Sequence, residues 1–437
     1  MTETPSQPEW QGLQRVVGLF GAVMMGMGSI LGTGVFVSIG IAAGIAGPAV
    51  ILAIAAAGFV AICNGLNSAQ LAANHAVSGG TYEYGYRYLN SWLGFTAGWT
   101  FLLAKSASAA TAALGFAGYL LYWLGIHDGA PLVPIALAAV AGLTGVVLGG
   151  LRRSNVTNIV IVSITIGALA AFVLAGLPQL FESGTANLMP FFHSTGDGPL
   201  ASTLHACALM FVAYTGYGRI ATMGEEVRKP RVIIPRAIIL TLVLTMILYV
   251  AVAVVGVGAA GVDVLNQTDA AGAAPLVLAA AQFDMPGLME LVAFGAITAM
   301  LGVLFNLILG LSRVLLAMGR RGDMPAVTAR INDVSSTPYV ATLIIGLVIA
   351  LLVLSGSART TWSFSAFTVL IYYAITNLAA LRLKRDERLF SRWLAWVGLA
   401  ACLFLAFWVE PAIWLAGLGL IAAGLGWHAV ALRLRQR

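Results

Sequence analysis

The chain is a succession of long apolar runs joined by short polar links. A run of about 18 or more apolar residues is long enough to cross a bilayer as a helix. Counted that way, the sequence predicts twelve spans: 16–45, 49–74, 91–124, 131–150, 156–179, 200–226, 232–260, 288–318, 338–356, 360–383, 391–409 and 411–431. Pro48, Pro131, Pro338 and Pro411 stand at the starts of runs, where a missing N–H costs a helix least. Two runs are broken in the middle, by Gly28-Ser29-Ile30-Leu31-Gly32-Thr33-Gly34 and by Tyr214-Thr215-Gly216-Tyr217-Gly218. Unwound backbone at membrane depth is tolerated only where it is buried in protein or lines a cavity. A pair of such breaks in corresponding positions of two halves points to a transporter with inverted repeats and a site near the midplane.

Composition sharpens this. Of 437 residues, 60% are hydrophobic and 9% charged, against about 25% charged in soluble domains. A soluble multidomain reading is excluded. The net charge of +6 is not a nucleic-acid patch, because the basic residues alternate between links, which is a topology signal. Arg15, Arg87, Arg152, Arg153, Arg228, Lys229, Arg320, Arg321, Lys384, Arg385 and Arg433 fall on one side; Arg359 is the exception on the other. The expectation is a multi-pass protein of a bacterial plasma membrane, embedded in the lipid bilayer, with both termini cytoplasmic. The chain divides into a tail (1–15), a first repeat of spans 1–5 (16–179), a second of spans 6–10 (200–383), spans 11 and 12 (391–431) and a second tail (432–437). Residues 1–15 lack the apolar run and cleavage site of a secretory signal. The aromatic 2–3 link, from Ser78 to Tyr88, predicts a short interfacial helix. The 7–8 link, with Asp263, Asp269 and Asp284 around residues 273–281, predicts a short external one.

Glycines 28, 32 and 34 let the backbone leave helical geometry without a Cβ clash. The N–H groups freed there suit a carboxylate, and carbonyls at the second break suit an ammonium. Together they describe an α-amino acid. Phe211, Tyr214 and Tyr217 are placed to occlude it. The plainer alternatives are helix packing through Gly28-x-x-x-Gly32 and ordinary aromatic packing.

The landmarks GSILGTGVF (28–36), SGGTY (78–82), FVAYTGYGRIATMGEEVRKPRVIIPRAI (211–238), RVLLAMGRRGDMP (313–325) and Thr337-Pro338 resemble those of the amino acid–polyamine–organocation transporter superfamily. The resemblance implies an all-α fold of the leucine-transporter type: two inverted five-helix repeats with discontinuous helices 1 and 6, plus helices 11 and 12. It implies transport of amino acids or related amines by alternating access. The substrate carboxylate then falls to Ser29, Ile30, Gly32, Thr33 and Gly34, and its amine to Ala213, Tyr214 and Gly216. Two departures bear on the gate. Gly218, followed by Arg219, stands where an acidic residue is frequent, and Val212 stands where a bulky aromatic gate is frequent. Some proton-coupled members carry a lysine in span 5; alignment puts Thr165 there.

Lys105 lies about fourteen residues into span 3, roughly 21 Å along it at helical rise. An ionisable residue at that depth is a functional candidate by default. It is assigned here as the proton carrier, with snorkelling or a static contact as the alternative. Arg219 is assigned to the gate or pocket, with a structural contact below the break as the alternative. Asn306, in mid-span 8, faces the substrate or glues helices. Glu225, Glu226, Arg228 and Lys229 suit an inner gate or a structural ion-pair network. Span 8 offers only Thr298 and Ser312, well separated, and a hard cation needs several oxygens, so a proton is preferred to sodium as the coupling ion. Cys63, Cys207 and Cys402 read as packing residues. The five histidines form no ligand cluster, and no Walker-type loop occurs. No metal, cofactor or enzymatic activity is expected. The reading is proton-coupled amino acid symport, with exchange second and a non-transporting sensor third.

Overall fold

The computed structural model describes residues 17–75, 79–126, 131–150, 155–192, 198–221, 227–267, 274–332 and 337–435. The 1–15 tail, Arg152, Arg153, Glu225, Glu226 and Asp269 lie outside them. Every extended element among the described residues is helical, apart from a single bridge between Val17 and Val227. Eight helical stretches are long and apolar enough to cross a membrane: Thr33–Asn74, Ser91–Trp123, Val156–Asn187, Pro199–Ala221, Pro230–Ala260, Leu288–Arg321, Ala358–Leu381 and Pro411–Arg433. Four shorter apolar helices, Leu19–Ile30, Leu132–Leu148, Tyr339–Val353 and Arg392–Ala406, complete the bundle.

In chain order, α1 (Leu19–Ile30), α2 (Thr33–Phe36) and α3 (Ser38–Ala46) form the first interrupted crossing. Next come α4 (Val50–Asn74), α5 (Thr81–Tyr88), α6 (Ser91–Trp123), α7 (Leu132–Leu148) and α8 (Asn155–Asn187). The second interrupted crossing is α9 (Pro199–Tyr214) and α10 (Gly218–Ala221), followed by α11 (Pro230–Val255) and the short α12 (Val262–Leu265) and α13 (Pro275–Ala280). The chain closes with α14 (Leu288–Arg321), α15 (Tyr339–Val353), α16 (Ala358–Leu381), α17 (Arg392–Ala406) and α18 (Pro411–Arg435). The interfacial helix of the 2–3 link is α5, and the helix of the 7–8 link is α13. Asn90 caps α6 by accepting the Leu93 N–H at 2.9 Å, and Gly322, at φ 78°, stops α14 in the left-handed region. α8 continues through Pro178 to Asn187, eight residues past the end read from hydropathy (187 − 179), because its last turns are amphipathic rather than apolar.

Apolar packing cannot specify partners where lipid is as apolar as leucine, so small residues and interhelical hydrogen bonds do. α6 and α16 run together through paired hydroxyls, Ser108 with Ser365 and Thr111 with Thr361, each at 2.7 Å. Asn67 donates to Asn377 (2.8 Å) and Asn377 to Asn64 (2.6 Å), tying α4 to α16. Cys402 on α17 donates to Asn64 at 3.4 Å. Gly85 meets Gly94 so closely that a Cβ added to Gly85 falls 2.5 Å from the Gly94 Cα, which locks α5 against the start of α6.

Each end of the bundle carries a polar tie. At the end bearing α5, the buried Asp323 accepts from Tyr82 (2.6 Å) and Tyr86 (2.7 Å), and its carbonyl accepts from Trp427 of α18 (2.8 Å). Arg321 pairs with Glu83 and lies 4.2 Å over the Tyr86 ring. At the opposite end Glu410 lies 3.4 Å from His205 and 3.3 Å from Arg359, joining the α17–α18 link to α9 and α16. Burial works to raise the Glu410 pKa. The contact with His205 and the nearby Arg359 charge overrule it and hold the carboxyl at about 2, below its ordinary 4.5. A carboxyl depressed on folding stabilises the fold above its unfolded value and loses that contribution as pH falls toward the folded value. Glu410→Gln is therefore expected to lower the melting temperature at pH 7. The difference from wild type should close as pH drops from about 4.5 toward about 2; a difference as large at the acid end as at pH 7 contradicts the pairing.

Candidate functional site

The first interruption is short. α1 ends at Ile30, Leu31 turns extended at φ −73° and ψ 104°, and the helix restarts at Thr33. The first turn of a helix leaves N–H groups without an intrahelical acceptor; Val35 and Phe36 are the first to reach back, both to the Gly32 carbonyl at 3.1 Å. The three glycines do different work. Only Gly32 lies in the break, and there a Cβ would fall 2.7 Å from a Val303 methyl of α14. Gly28 lies inside α1, where a Cβ would fall 2.3 Å from Asn158 Oδ1, and Gly34 admits Ala213 at 2.7 Å. Gly28 is thus a packing glycine, not part of the opening.

The second interruption tightens rather than unwinds. Thr215–Tyr217 form one 3-10 turn between α9 and α10. Its neighbouring carbonyls are met by side chains. Leu209 O accepts from Trp362 Nε1 (3.0 Å), Val212 O from the Thr215 hydroxyl (2.7 Å) and Thr215 O from the Tyr373 phenol (3.2 Å). The Tyr249 phenol reaches Ile30 O at 2.9 Å and Ala213 O at 3.4 Å, so one α11 side chain bridges both interruptions. The two breaks touch at Gly216, where an added Cβ would lie 2.3 Å from the Ser29 carbonyl oxygen.

A small cavity of about 40 Å³ opens beside that contact. Its walls are Ser29, Ile30, Thr33 and Gly34 from the first break, and Val212, Ala213, Thr215 and Gly216 from the second. Lys105 and Ser108 of α6, Val303 and Leu307 of α14 and Trp362 of α16 close it. A larger cavity of about 240 Å³ shares Ser29, Lys105, Thr215 and Gly216. It runs past Arg219, Asn306, Tyr372 and Tyr373 to Gly79, Gly80, Thr81 and Arg313, at the end of the bundle that carries α5.

Most residues singled out in the sequence line these cavities. Gly32, Phe211, Tyr214 and Tyr217 do not. Tyr214 turns away and donates to Ile54 O at 3.1 Å. Phe211 and Tyr217 pack on the Tyr373 ring at 5.6 and 5.5 Å. The aromatic lining comes instead from Trp362, Tyr372 and Tyr373 of α16, with Phe101 of α6 and Tyr84 of α5. Trp362 and Tyr373 are eleven residues apart, three helical turns, and so share a face. That spacing was the available signal, but it reads equally as a core stripe. On α8, Thr165 returns its hydroxyl to Ile161 O (2.8 Å), whereas Asn158 donates to Met24 O of α1 at 2.9 Å. Asn158 is thus an α8 residue hydrogen-bonded to the first crossing, with Val162 packed beside it against Gly28. Lys105 Nζ donates to the Thr215 hydroxyl at 2.7 Å, linking α6 to the second break.

The Ser29–Gly216 contact generates a prediction. A methyl at 216 strikes backbone, which cannot rotate away, so overpacking costs about 1–3 kcal/mol. Gly216→Ala is expected to fold with a lowered melting temperature and to lose ligand binding by at least about 10-fold. Unchanged binding in a titration means the two breaks need not touch.

Comparison with known proteins agrees with this geometry. The sequence profile of the family described as Amino acid permease matches residues 21–432. An uncharacterized transporter of Mycobacterium tuberculosis is 38% identical over 427 residues, covering 97% of this chain and 93% of that protein. The branched-chain amino acid permease BcaP of Bacillus subtilis is 29% identical over 78% of this chain and 74% of its own length. The methylthioribose transporter of the same species is 26% identical over 79% of this chain and 76% of its own. All three are named as transporters or permeases, none as an enzyme.

Proposed function

This chain belongs to the amino acid permease family, and we propose that it is a secondary transporter that carries amino acids across the membrane by alternating access. The helices are read as twelve crossings, α1–α3 together making the first and α4 the second, with spans 1–5 and 6–10 as inverted repeats and both chain ends in the cytoplasm of a bacterial cell. The end bearing α5 is then the cytoplasmic one. The observation that carries the reading is the meeting of two interrupted crossings at one cavity, with Ser29 and Gly216 in contact.

The substrate carboxylate is assigned to the Ser29–Gly34 segment, whose helix restart directs N–H groups into the cavity wall. The ammonium is assigned to the carbonyls of the Ala213–Gly216 turn. Two of these, Ala213 O and Thr215 O, already accept from Tyr249 and Tyr373, so binding there exchanges partners rather than filling orphans. Proton coupling is assigned to Lys105, the only lysine among the described residues that lines either cavity. Thr298 and Ser312 each return their hydroxyl to a carbonyl of their own helix, at 2.9 and 3.0 Å, which favours a proton over sodium as the coupling ion.

A thermal-shift screen of the purified protein against the twenty amino acids and common polyamines is expected to find a stabilising ligand, because a ligand that binds only the folded state raises its apparent stability. In proteoliposomes that ligand should show counterflow, which a non-transporting sensor cannot. An imposed inward proton gradient should accelerate uptake in wild type and not in Lys105→Ala. Full gradient-driven uptake by Lys105→Ala rejects the role of the lysine.

A further inference from the structure

We propose that the amino acid this protein recognises carries an anionic side chain, and that Lys105 is the residue that selects it. The inference rests on the transporter reading above and deepens it to a substrate class.

Lys105 is 9% exposed, lies in the middle of α6 and lines both cavities. Its one hydrogen bond is to the neutral Thr215 hydroxyl. Among the described residues it forms no ion pair. An ammonium has three donors, and a charge at that depth is costly unless a counter-charge meets it. Among the described residues no aspartate or glutamate lines either cavity.

A neutral or cationic amino acid aggravates that imbalance. Its own ammonium, bound at the Ala213–Gly216 turn, would sit in the same small cavity as the Lys105 ammonium, where the low dielectric strengthens their repulsion. A cationic side chain adds a third positive charge. A side-chain carboxylate has the opposite effect, because it supplies a counter-charge that no described residue of the cavity wall supplies. Arg219 and Arg313 also line the passage toward the α5 end. Ser108, one helical turn beyond Lys105 on the same face, adds a hydroxyl beside the pocket.

The pairing also gives coupling a physical form. A proton on Lys105 raises the affinity for the anionic side chain, and by reciprocity the bound side chain raises the affinity of Lys105 for its proton. One proton and one amino acid of net charge −1 then move together with no net charge.

The test compares substrates that differ in charge but hardly in shape. Equilibrium binding of L-glutamate, L-glutamine, L-aspartate, L-asparagine and L-lysine is measured on the full-length protein in nanodiscs. Wild type is expected to bind the acid of each pair at least about 10-fold more tightly than its amide, and L-lysine more weakly than either. Lys105→Gln should collapse the acid-to-amide ratio by about 10-fold or more, and Lys105→Arg, which keeps the charge, should retain most of it. Wild-type preference for an amide, a branched-chain amino acid or L-lysine overturns the inference and leaves the transporter reading standing. An acid preference that survives Lys105→Gln removes Lys105 as its source. Binding of no amino acid at all overturns the transporter reading itself. Should Lys105→Gln fail to fold, the wild-type ratio and the Lys105→Arg variant decide alone.

Discussion

Everything in the centre of this molecule answers to one requirement: a carbonyl or N–H released from a helix inside a bilayer must find a partner there, at a cost of about 1–3 kcal/mol if it does not. The Tyr249 phenol, reaching Ile30 O and Ala213 O from a third helix, is the clearest response. Its one proton is placed for Ile30 O at 2.9 Å, with Ala213 O at the edge of reach at 3.4 Å, so a single donor stands between the two interruptions. Trp362, Thr215 and Tyr373 do the same for the carbonyls at Leu209, Val212 and Thr215. The proposed site is a set of backbone groups already held by side chains. A zwitterion entering there would compete with a phenol or hydroxyl, so binding would change which helices are tied together.

That exchange connects packing to motion. Ser29 and Gly216 touch, and Gly32 and Gly34 admit Val303 and Ala213 without a methyl between them. Helices in such close contact have discrete arrangements rather than a continuum. The hydroxyl pairs between α6 and α16 and the amide cluster joining α4, α16 and α17 stiffen the surroundings. Lys105 sits where the stiff and interrupted parts meet, with its stem on α6 and its ammonium on Thr215 of the second break. A change of charge or of ligand at that position acts on both.

The sequence disclosed the apolar crossings, the location of both interruptions and most of the cavity wall, because bilayer length and glycine punctuation are strong local signals. It disclosed less about what each glycine does. Gly28 looked like part of an opening and is a packing position for Asn158, a distinction that depends on a side chain 130 residues away (158 − 28). The aromatic wall was sought next to the second break, at Phe211, Tyr214 and Tyr217. It comes instead from Trp362, Tyr372 and Tyr373 on α16, with Phe101 on α6 and Tyr84 on α5, residues distant in sequence from the break. Asn158, seven residues before Thr165 and so on nearly the same face of α8, carries no local signal in the sequence; only its hydrogen bond to Met24 O of the neighbouring helix marks it.

The central claim is that an amino acid binds between the two interrupted crossings. The most direct measurement is a cryo-EM structure of the protein with the amino acid that stabilises it most. The account predicts ligand density bounded by Ser29–Gly34 on one side and Ala213–Gly216 on the other, within reach of Lys105. Density elsewhere in the bundle, with the Ser29–Gly216 region unchanged and unoccupied, contradicts it.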